Sequence, residues 1–207
     1  MSYRFLARVY DWVAPRVSRY RSPELVASTV LGLAPDGCEL LDIGVGTGLS
    51  IAPYVKSPRF TRVVGVDPSA QMLRRCRTKF ANVELHQGTL ETVRLDPGSP
   101  FDIIQSCGTV EHISDPARFI VRVSALLKPR GYFVFTYEPE LLFSTWQSRT
   151  APHIGTYGRE SVFRRKPHDV QAELTKAGLT VCEDLEFKAY LGLVHHLVVA
   201  RSAEQRD

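Results

Sequence analysis

The chain has 207 residues, of which 44% are hydrophobic and 23% charged, and its net charge is +4. These ordinary proportions argue against a disordered chain and suit one domain with a sizeable core. No apolar run approaches the roughly 20 residues that span a bilayer, the first residues lack the apolar core of a secretory signal, and the four cysteines form no C-x-x-C pair. We therefore expect a cytoplasmic protein without a metal site or a disulfide framework.

Short β-branched runs alternate with helical segments along the chain, which predicts an α/β domain with a mainly parallel sheet. After an amphipathic N-terminal region, a helix near Pro23 to Leu33 should lead into the first strand. The predicted strands are, in order, Glu39 to Ile43, Val63 to Val66, Val83 to His86, Asp102 to Gln105, Tyr132 to Tyr137, Leu179 to Phe187 and Val194 to Arg201.

Two helices in the second half of the chain have recognisable end signals. Asp115 and Pro116 are typical of an N-cap and a first helical residue, and the helix that they begin should stop near Pro129. A second helix, Pro167 to Ala177, should end with Gly178 at the position after its C-cap.

The strongest motif is the stretch LLDIGVGTG at residues 40–48, where a buried strand opens through glycines into a helix. Glycine is needed where a turn is tight and the backbone approaches a ligand, although a purely structural turn would use glycines too. Asp67 favours the ligand, because it ends the second strand about 20 residues after Gly46. At that spacing, an acidic residue on the neighbouring strand reaches ribose hydroxyls in dinucleotide-type folds.

Asp42, just before the first glycine, helps to choose between two ligands. A nicotinamide dinucleotide would bring an anionic pyrophosphate to this turn, whereas S-adenosylmethionine brings an ammonium and a sulfonium, which a carboxylate attracts. The third glycine agrees, since a dinucleotide fingerprint has glycine at position 49, which is Leu49 here, and Gly48 completes G-x-G-T-G.

These motifs, together with VDPS at residues 66–69 and FDII at residues 101–104, resemble the class I S-adenosylmethionine-dependent methyltransferases. The stretch GTVEHISDP at residues 108–116 is similar to the small-molecule branch that includes quinone-biosynthesis and phospholipid N-methyltransferases. The resemblance covers about residues 35 to 140. It is specific for fold and cofactor, and weak for the substrate.

The resemblance implies S-adenosylmethionine as the cofactor and S-adenosylhomocysteine as its product. In one departure, Thr89 stands where the family usually has an acid, and a hydroxyl accepts a hydrogen bond from the adenine amino group more weakly. The implied cofactor-binding residues are Tyr10 near the N-terminus; Asp42, Gly44, Gly46 and Thr47 at the methionine end; Asp67 at the ribose; Pro68, Met72, Gly88, Thr89 and Leu90 near the adenine; and Ser106 and Cys107 beneath the sulfonium.

The same resemblance implies a single domain, 1–207, with a Rossmann-like, doubly wound, seven-stranded sheet that is mostly parallel and has an antiparallel last strand. It divides into an N-terminal lid and helix (1–34), a cofactor-binding core (35–137), a substrate-side insertion (138–166), and a C-terminal helix and strands (167–207).

Methyl transfer depends mainly on positioning, so no catalytic triad is required. For a hydroxyl acceptor, His112 is the candidate base because it follows strand four; the alternative is a helix-start histidine without chemistry, and Glu111 is weighed equally. Aromatic side chains in the lid and insertion would wall the acceptor pocket. The predicted acceptor-binding residues are Tyr137, Trp146, His153 and Tyr157.

Three functional hypotheses stay open: a small-molecule methyltransferase, a peripheral membrane enzyme acting on a lipid or prenylated quinone, and a non-catalytic relative that only binds the cofactor. The arginine-rich, aromatic N-terminal segment favours the second. Scattered basic residues, and SCGT at residues 106–109 in place of an N/D-P-P-Y motif, argue against a nucleic-acid partner. The oligomeric state is not predicted.

Overall fold

The computed structural model describes residues 21–96, 98–140, 163–189 and 193–204. Helical segments alternate with strands through most of this part of the chain. The helices are α1 (Ser22–Leu33), α2 (Ala52–Val55), α3 (Ala70–Lys79), α4 (Pro116–Leu126) and α5 (Pro167–Lys176), with a 3₁₀ turn at Val110–His112. The strands are β1 (Cys38–Ile43), β2 (Phe60–Asp67), β3 (Glu84–Gln87), β4 (Phe101–Ser106), β5 (Leu127–Tyr137), β6 (Leu179–Lys188) and β7 (Val194–Ser202).

The strands form one seven-stranded sheet in the order β3-β2-β1-β4-β5-β7-β6. β1 pairs in parallel with β2 and β4, and β5 pairs in parallel with β4, whereas β7 is antiparallel to both β5 and β6. This confirms the predicted mostly parallel sheet with an antiparallel last strand. The chain winds outward in opposite directions from β1 and β4, and such a switch point opens a crevice at the carboxyl ends of the strands.

The central strands are apolar on both faces because helices cover both sides of the sheet. On one face, Leu41 and Phe133 pack with the α4 residue Phe119 in one buried cluster. On the other face, Leu40 packs with the α1 residue Val26 in a second cluster. Two core layers therefore hold the strand ends, and with them the crevice, in fixed positions.

The helix end signals are confirmed at Asp115, whose side chain accepts a hydrogen bond from the Arg118 amide, and at Gly178, which follows α5 with φ of 78°. The predicted end of α4 near Pro129 is wrong, because the helix stops at Leu126 and β5 begins at once. Leu127 is buried and pairs with Phe101 of β4, so sheet pairing and burial outweigh helix propensity there.

No helix among the described residues is long and apolar enough to cross a membrane. The division of the chain into a lid, a core, an insertion and a C-terminal part stays a prediction, since residues 1–20 and 141–162 lie outside the described residues.

Candidate active site

The glycine turn lies where β1 ends, at the switch point of the sheet. Gly44 and Gly46 have φ of 84° and 54°, left-handed conformations that glycine adopts without a steric cost. The amides of Gly44 and Val45 both donate to the Val66 carbonyl, at 2.8 and 3.1 Å, which ties the turn to the end of β2.

The two glycines differ in what a side chain would meet. A Cβ on Gly44 would lie 2.0 Å from Thr109 Oγ1, so this glycine lets the turn pack against the segment that follows β4. A Cβ on Gly46 would meet only the Gly44 carbonyl, at 3.9 Å. An open cleft runs along this turn. Its lining residues are Pro23, Gly44, Val45, Gly46, Thr47, Leu49, Ser50 and Cys107.

Asp67 joins the end of β2 to the glycine turn. Its Oδ2 accepts a hydrogen bond from the Gly46 amide at 2.9 Å, and its Oδ1 accepts one from the Ser69 amide at 2.8 Å. The carboxylate therefore lies directly against the turn, as the sequence spacing predicts. Asp67 as a whole is buried, with 8% of its surface exposed. A carboxylate has about four acceptor positions, which suits it to bind hydroxyl groups as well as backbone amides.

Asp42 lies beneath the turn and has no exposed surface. Its Oδ2 accepts a hydrogen bond from Ser50 Oγ at 2.7 Å. Burial raises the pKa of Asp42 to about 6, and the charge of Asp67 adds to the rise, while Ser50 and Gln105 oppose it. Sequence reasoning missed Ser50, which reaches the cleft wall where Asp42 does not.

The residues predicted near the adenine lie beside Asp67, because the Gly88 amide donates to the Asp67 carbonyl at 3.1 Å. Thr89 and Pro68 are exposed there, whereas Leu90 and Met72 are buried beneath them. The Thr89 amide donates to Thr92 Oγ1 at 2.9 Å, within the same turn.

At the end of β4, Cys107 lines the cleft but Ser106 is buried, and its Oγ donates to the Ile43 carbonyl at 3.0 Å. Ser106 therefore ties β4 to β1. Tyr137 is also buried, packing on Phe135 within the core. Four predicted residues lie outside the described residues: Tyr10, Trp146, His153 and Tyr157.

The two candidate bases occupy the 3₁₀ turn after β4. Burial raises the pKa of Glu111 to about 7, and the nearby carboxylate of Glu138 adds to the rise. Glu111 Oε2 and His112 Nδ1 are buried atoms without a hydrogen-bond partner among the described residues. Glu138, by contrast, accepts a hydrogen bond from Arg164 Nε at 2.9 Å. Of these two neighbouring acids, Glu138 is paired, whereas Glu111 has an oxygen, Oε2, without a hydrogen-bond partner among the described residues.

A tether of residues 163–165 fastens this turn to the end of β5. The Phe163 amide donates to the Glu111 carbonyl at 2.7 Å, Arg164 pairs with Glu138, and the Arg165 carbonyl accepts from the Glu140 amide at 2.9 Å. The tether fixes the 3₁₀ turn relative to the sheet. Nothing in the local sequence pattern indicates it.

Comparisons with known proteins agree with this arrangement. A family profile described as "Methyltransferase domain" matches residues 41–135. The chain is 33% identical over 135 residues to a ubiquinone biosynthesis O-methyltransferase of Bradyrhizobium sp. (strain ORS 278), covering 63% of this chain and 49% of that protein. It is 30% identical over 161 residues to the Brucella ovis protein of the same name, covering 72% of this chain and 63% of that protein. The chain thus spans about half the length of the first of these curated relatives.

Solved structures share the fold at low sequence identity. An S-adenosylmethionine-dependent methyltransferase from Clostridium acetobutylicum superposes with a TM-score of 0.74 at 15% identity, covering 97% of this chain and 99% of that one. Magnesium protoporphyrin IX methyltransferase from Synechocystis, with bound S-adenosylhomocysteine, superposes with a TM-score of 0.72 at 16% identity. The superposition covers 91% of this chain and 85% of that one. The motifs, the matched domain and the sheet order agree: over residues 41–135 the chain matches the methyltransferase domain family, and its fold is that of S-adenosylmethionine-dependent methyltransferases of known structure.

Proposed function

We propose that the protein binds S-adenosylmethionine in the cleft beside the glycine turn and transfers its methyl group to an oxygen of a small-molecule acceptor. One observation carries the proposal: two carboxylates frame the turn, and one of them, Asp67, accepts a hydrogen bond from the Gly46 amide at 2.9 Å. Asp67 would hold a ribose, and Asp42, the other carboxylate, makes the turn attract a cationic ligand and repel a pyrophosphate.

The residues present fit the cofactor. Asp42 Oδ1 is a buried carboxylate oxygen without a hydrogen-bond partner among the described residues, and a cation nearby would compensate it. The space beside Gly46 lets the backbone approach the amino-acid end of the ligand. Asp67 would accept hydrogen bonds from the ribose hydroxyls. Gly88 and Thr89 would border the adenine.

The bound cofactor would supply the methyl carbon and its sulfur leaving group, and the protein would position the acceptor relative to that methyl group. A well-oriented approach can account for roughly 7 to 11 kcal/mol of the barrier. Cys107 on the cleft wall would limit the space from which the acceptor approaches. Glu111 or His112 would take the proton from an acceptor hydroxyl, and a pKa of about 7 suits Glu111 to act as a base near neutral pH.

Oxygen is proposed as the acceptor atom because the relatives at about 30% identity are named O-methyltransferases. The identity of the acceptor is part of this proposal, because the chain spans only part of the length of those relatives. Tyr10, Trp146, His153 and Tyr157 remain proposed contacts of the cofactor and acceptor. The cytoplasmic location also remains a proposal, supported by four cysteines that form no disulfide.

Calorimetry tests the cofactor half of this proposal. The protein should bind S-adenosylhomocysteine and show no measurable affinity for NAD⁺, because the pyrophosphate would lie at the turn above the carboxylate of Asp42. Incubation with S-adenosylmethionine and a panel of phenols, amines and thiols tests the acceptor half, with S-adenosylhomocysteine formation followed by mass spectrometry. Turnover should appear with phenols first. Binding of NAD⁺ in place of S-adenosylhomocysteine would overturn the proposal.

A further inference from the structure

A chain of buried polar side chains leads from the cleft wall into the core. Ser50 Oγ donates to Asp42 Oδ2 at 2.7 Å, and deeper down the Tyr54 hydroxyl donates to Gln105 Oε1 at 2.8 Å. Asp42, Gln105 and Tyr54 have no exposed surface at all. We call these four residues the polar chain. Only Ser50 among them lines the cleft.

The two halves of the polar chain meet between β1 and β4. Asp42 and Gln105 are register partners on these parallel strands, so their side chains leave the sheet side by side. Asp42 Oδ1 is an acceptor and Gln105 Nε2 is a donor, and neither atom has a hydrogen-bond partner among the described residues. The Gln105 amide also lowers the pKa of Asp42 against the effect of burial. The register and this effect on the pKa together make Gln105 a neighbour that favours the ionised carboxylate of Asp42.

Tyr54 decides which way the Gln105 amide faces. Burial raises the pKa of Tyr54 well above its ordinary value, so the phenol keeps its proton and acts as a donor. A donor at this point holds the amide oxygen and leaves the amide nitrogen for Asp42. In the flipped amide, the oxygen would face a buried carboxylate, which is electrostatically unfavourable.

At the other end, Ser50 donates its single hydroxyl proton to the hydrogen bond with Asp42. The oxygen that it presents to the cleft is then only an acceptor. An acceptor backed by a carboxylate favours an ammonium group and disfavours a phosphate or a carboxylate.

We infer that Tyr54, although it cannot reach the cleft, is a positioning residue for the cationic amino-acid end of the ligand, acting through Gln105 and Asp42 on Ser50. This inference rests on the proposed function and adds a specificity determinant to it. The end of the ligand that the polar chain recognises is the end that 5′-methylthioadenosine lacks.

The test compares S-adenosylhomocysteine with 5′-methylthioadenosine by calorimetry. Tyr54→Phe removes one buried hydrogen bond and keeps the ring, so it should weaken binding of S-adenosylhomocysteine about fivefold and leave 5′-methylthioadenosine unchanged. Tyr132→Phe is the matched control. It removes a phenolic oxygen from β5, where the ring packs against Arg201, and should change neither affinity.

A double-mutant cycle separates positioning from packing. If Tyr54 acts through Gln105, then Gln105→Met should produce a similar selective loss, and Tyr54→Phe added to it should cost nothing further. Additive losses, or equal losses for both nucleosides, would overturn the inference and leave Tyr54 a packing residue. Should Tyr54→Phe not fold, Ser50→Ala must show the selective loss and Ser50→Thr must restore binding. A wild-type protein that binds neither nucleoside would instead refute the proposed function.

Discussion

At the scale of single residues, two carboxylic acids near the strand ends are removed from water. Burial raises the pKa of Asp42 from 3.8 to about 6 and that of Glu111 from 4.5 to about 7. The folded protein therefore binds these protons more tightly than the unfolded chain does. The stability that the protonated acids contribute is fully present below about pH 4 and is lost as the pH rises through 6 to 7. This cost at neutral pH is consistent with a ligand-binding role for these acids.

Asp42 should make cofactor affinity depend on pH. Because only the ionised carboxylate attracts an ammonium, S-adenosylhomocysteine should bind about tenfold more weakly at pH 5 than at pH 7. Asp42→Asn should bind weakly at both values and lose this dependence. Calorimetry in matched buffers measures the affinity at each pH. An affinity that depends on pH in Asp42→Asn as it does in wild type would show that another group titrates.

Glu111 should act as the base if the acceptor is a hydroxyl. Turnover should then rise as the pH passes through about 7, and Glu111→Gln should lower kcat by about 100-fold or more and flatten the pH profile. His112→Asn is the comparison variant, with a smaller expected loss and an intact profile. Steady-state rates from pH 5.5 to 9 decide between them. A profile that flattens only in His112→Asn would assign the base to that histidine.

Spacing from the glycines made Asp42 and Asp67 predictable from the sequence. The polar partners Ser50, Tyr54 and Gln105 were not, because an isolated polar residue in an apolar segment carries no signal of which neighbour it meets. Gln105 lies beside Asp42 only because of the register between β1 and β4, which the folded sheet defines.

At the scale of elements, the glycine turn serves two purposes that substitution should separate. Gly44→Ala would force a methyl group into Thr109 and should lower the melting temperature by several degrees. Gly46→Ala meets no such neighbour and strains only its left-handed backbone, so it should melt closer to wild type than Gly44→Ala does, while binding S-adenosylhomocysteine poorly because the methyl group occupies the approach to the cleft. Thermal unfolding and calorimetry on both variants test this. Equal melting temperatures of the two variants would show that the Thr109 side chain moves aside at little energetic cost.

Most predicted strands match the structure closely because short β-branched runs between turn residues are strong signals. β2 and β5 begin earlier than predicted, at Phe60 and Leu127. In β5 the early start includes Pro129 and Arg130, residues that locally favour a turn; Arg130 has φ of 62°. Pairing of Leu127 with β4 overrides them, and a local pattern cannot report a partner strand.

At the scale of the whole molecule, the strand order brings together segments that are far apart in the chain. The ends of β1, β2 and β4 supply the turn, Asp67 and Cys107, and the tether returns from residues 163–165 to the turn after β4. Alternation of strands and helices predicted the sheet and its switch point. The contact of the tether from Phe163 to Glu111 joins residues more than 50 positions apart, so the tether could not be read from any local motif.

The measurement that tests the central claim most directly is the affinity of Asp67→Ala for S-adenosylhomocysteine. Asp96→Ala is the control, since Asp96 also accepts a backbone hydrogen bond, from the Gly98 amide at 2.8 Å, but in the turn before β4. Loss of two charge-assisted hydrogen bonds to ribose should weaken binding by Asp67→Ala about 100-fold or more, with Asp96→Ala unchanged. A folded Asp67→Ala variant that binds as tightly as wild type would contradict the assignment of this cleft to S-adenosylmethionine.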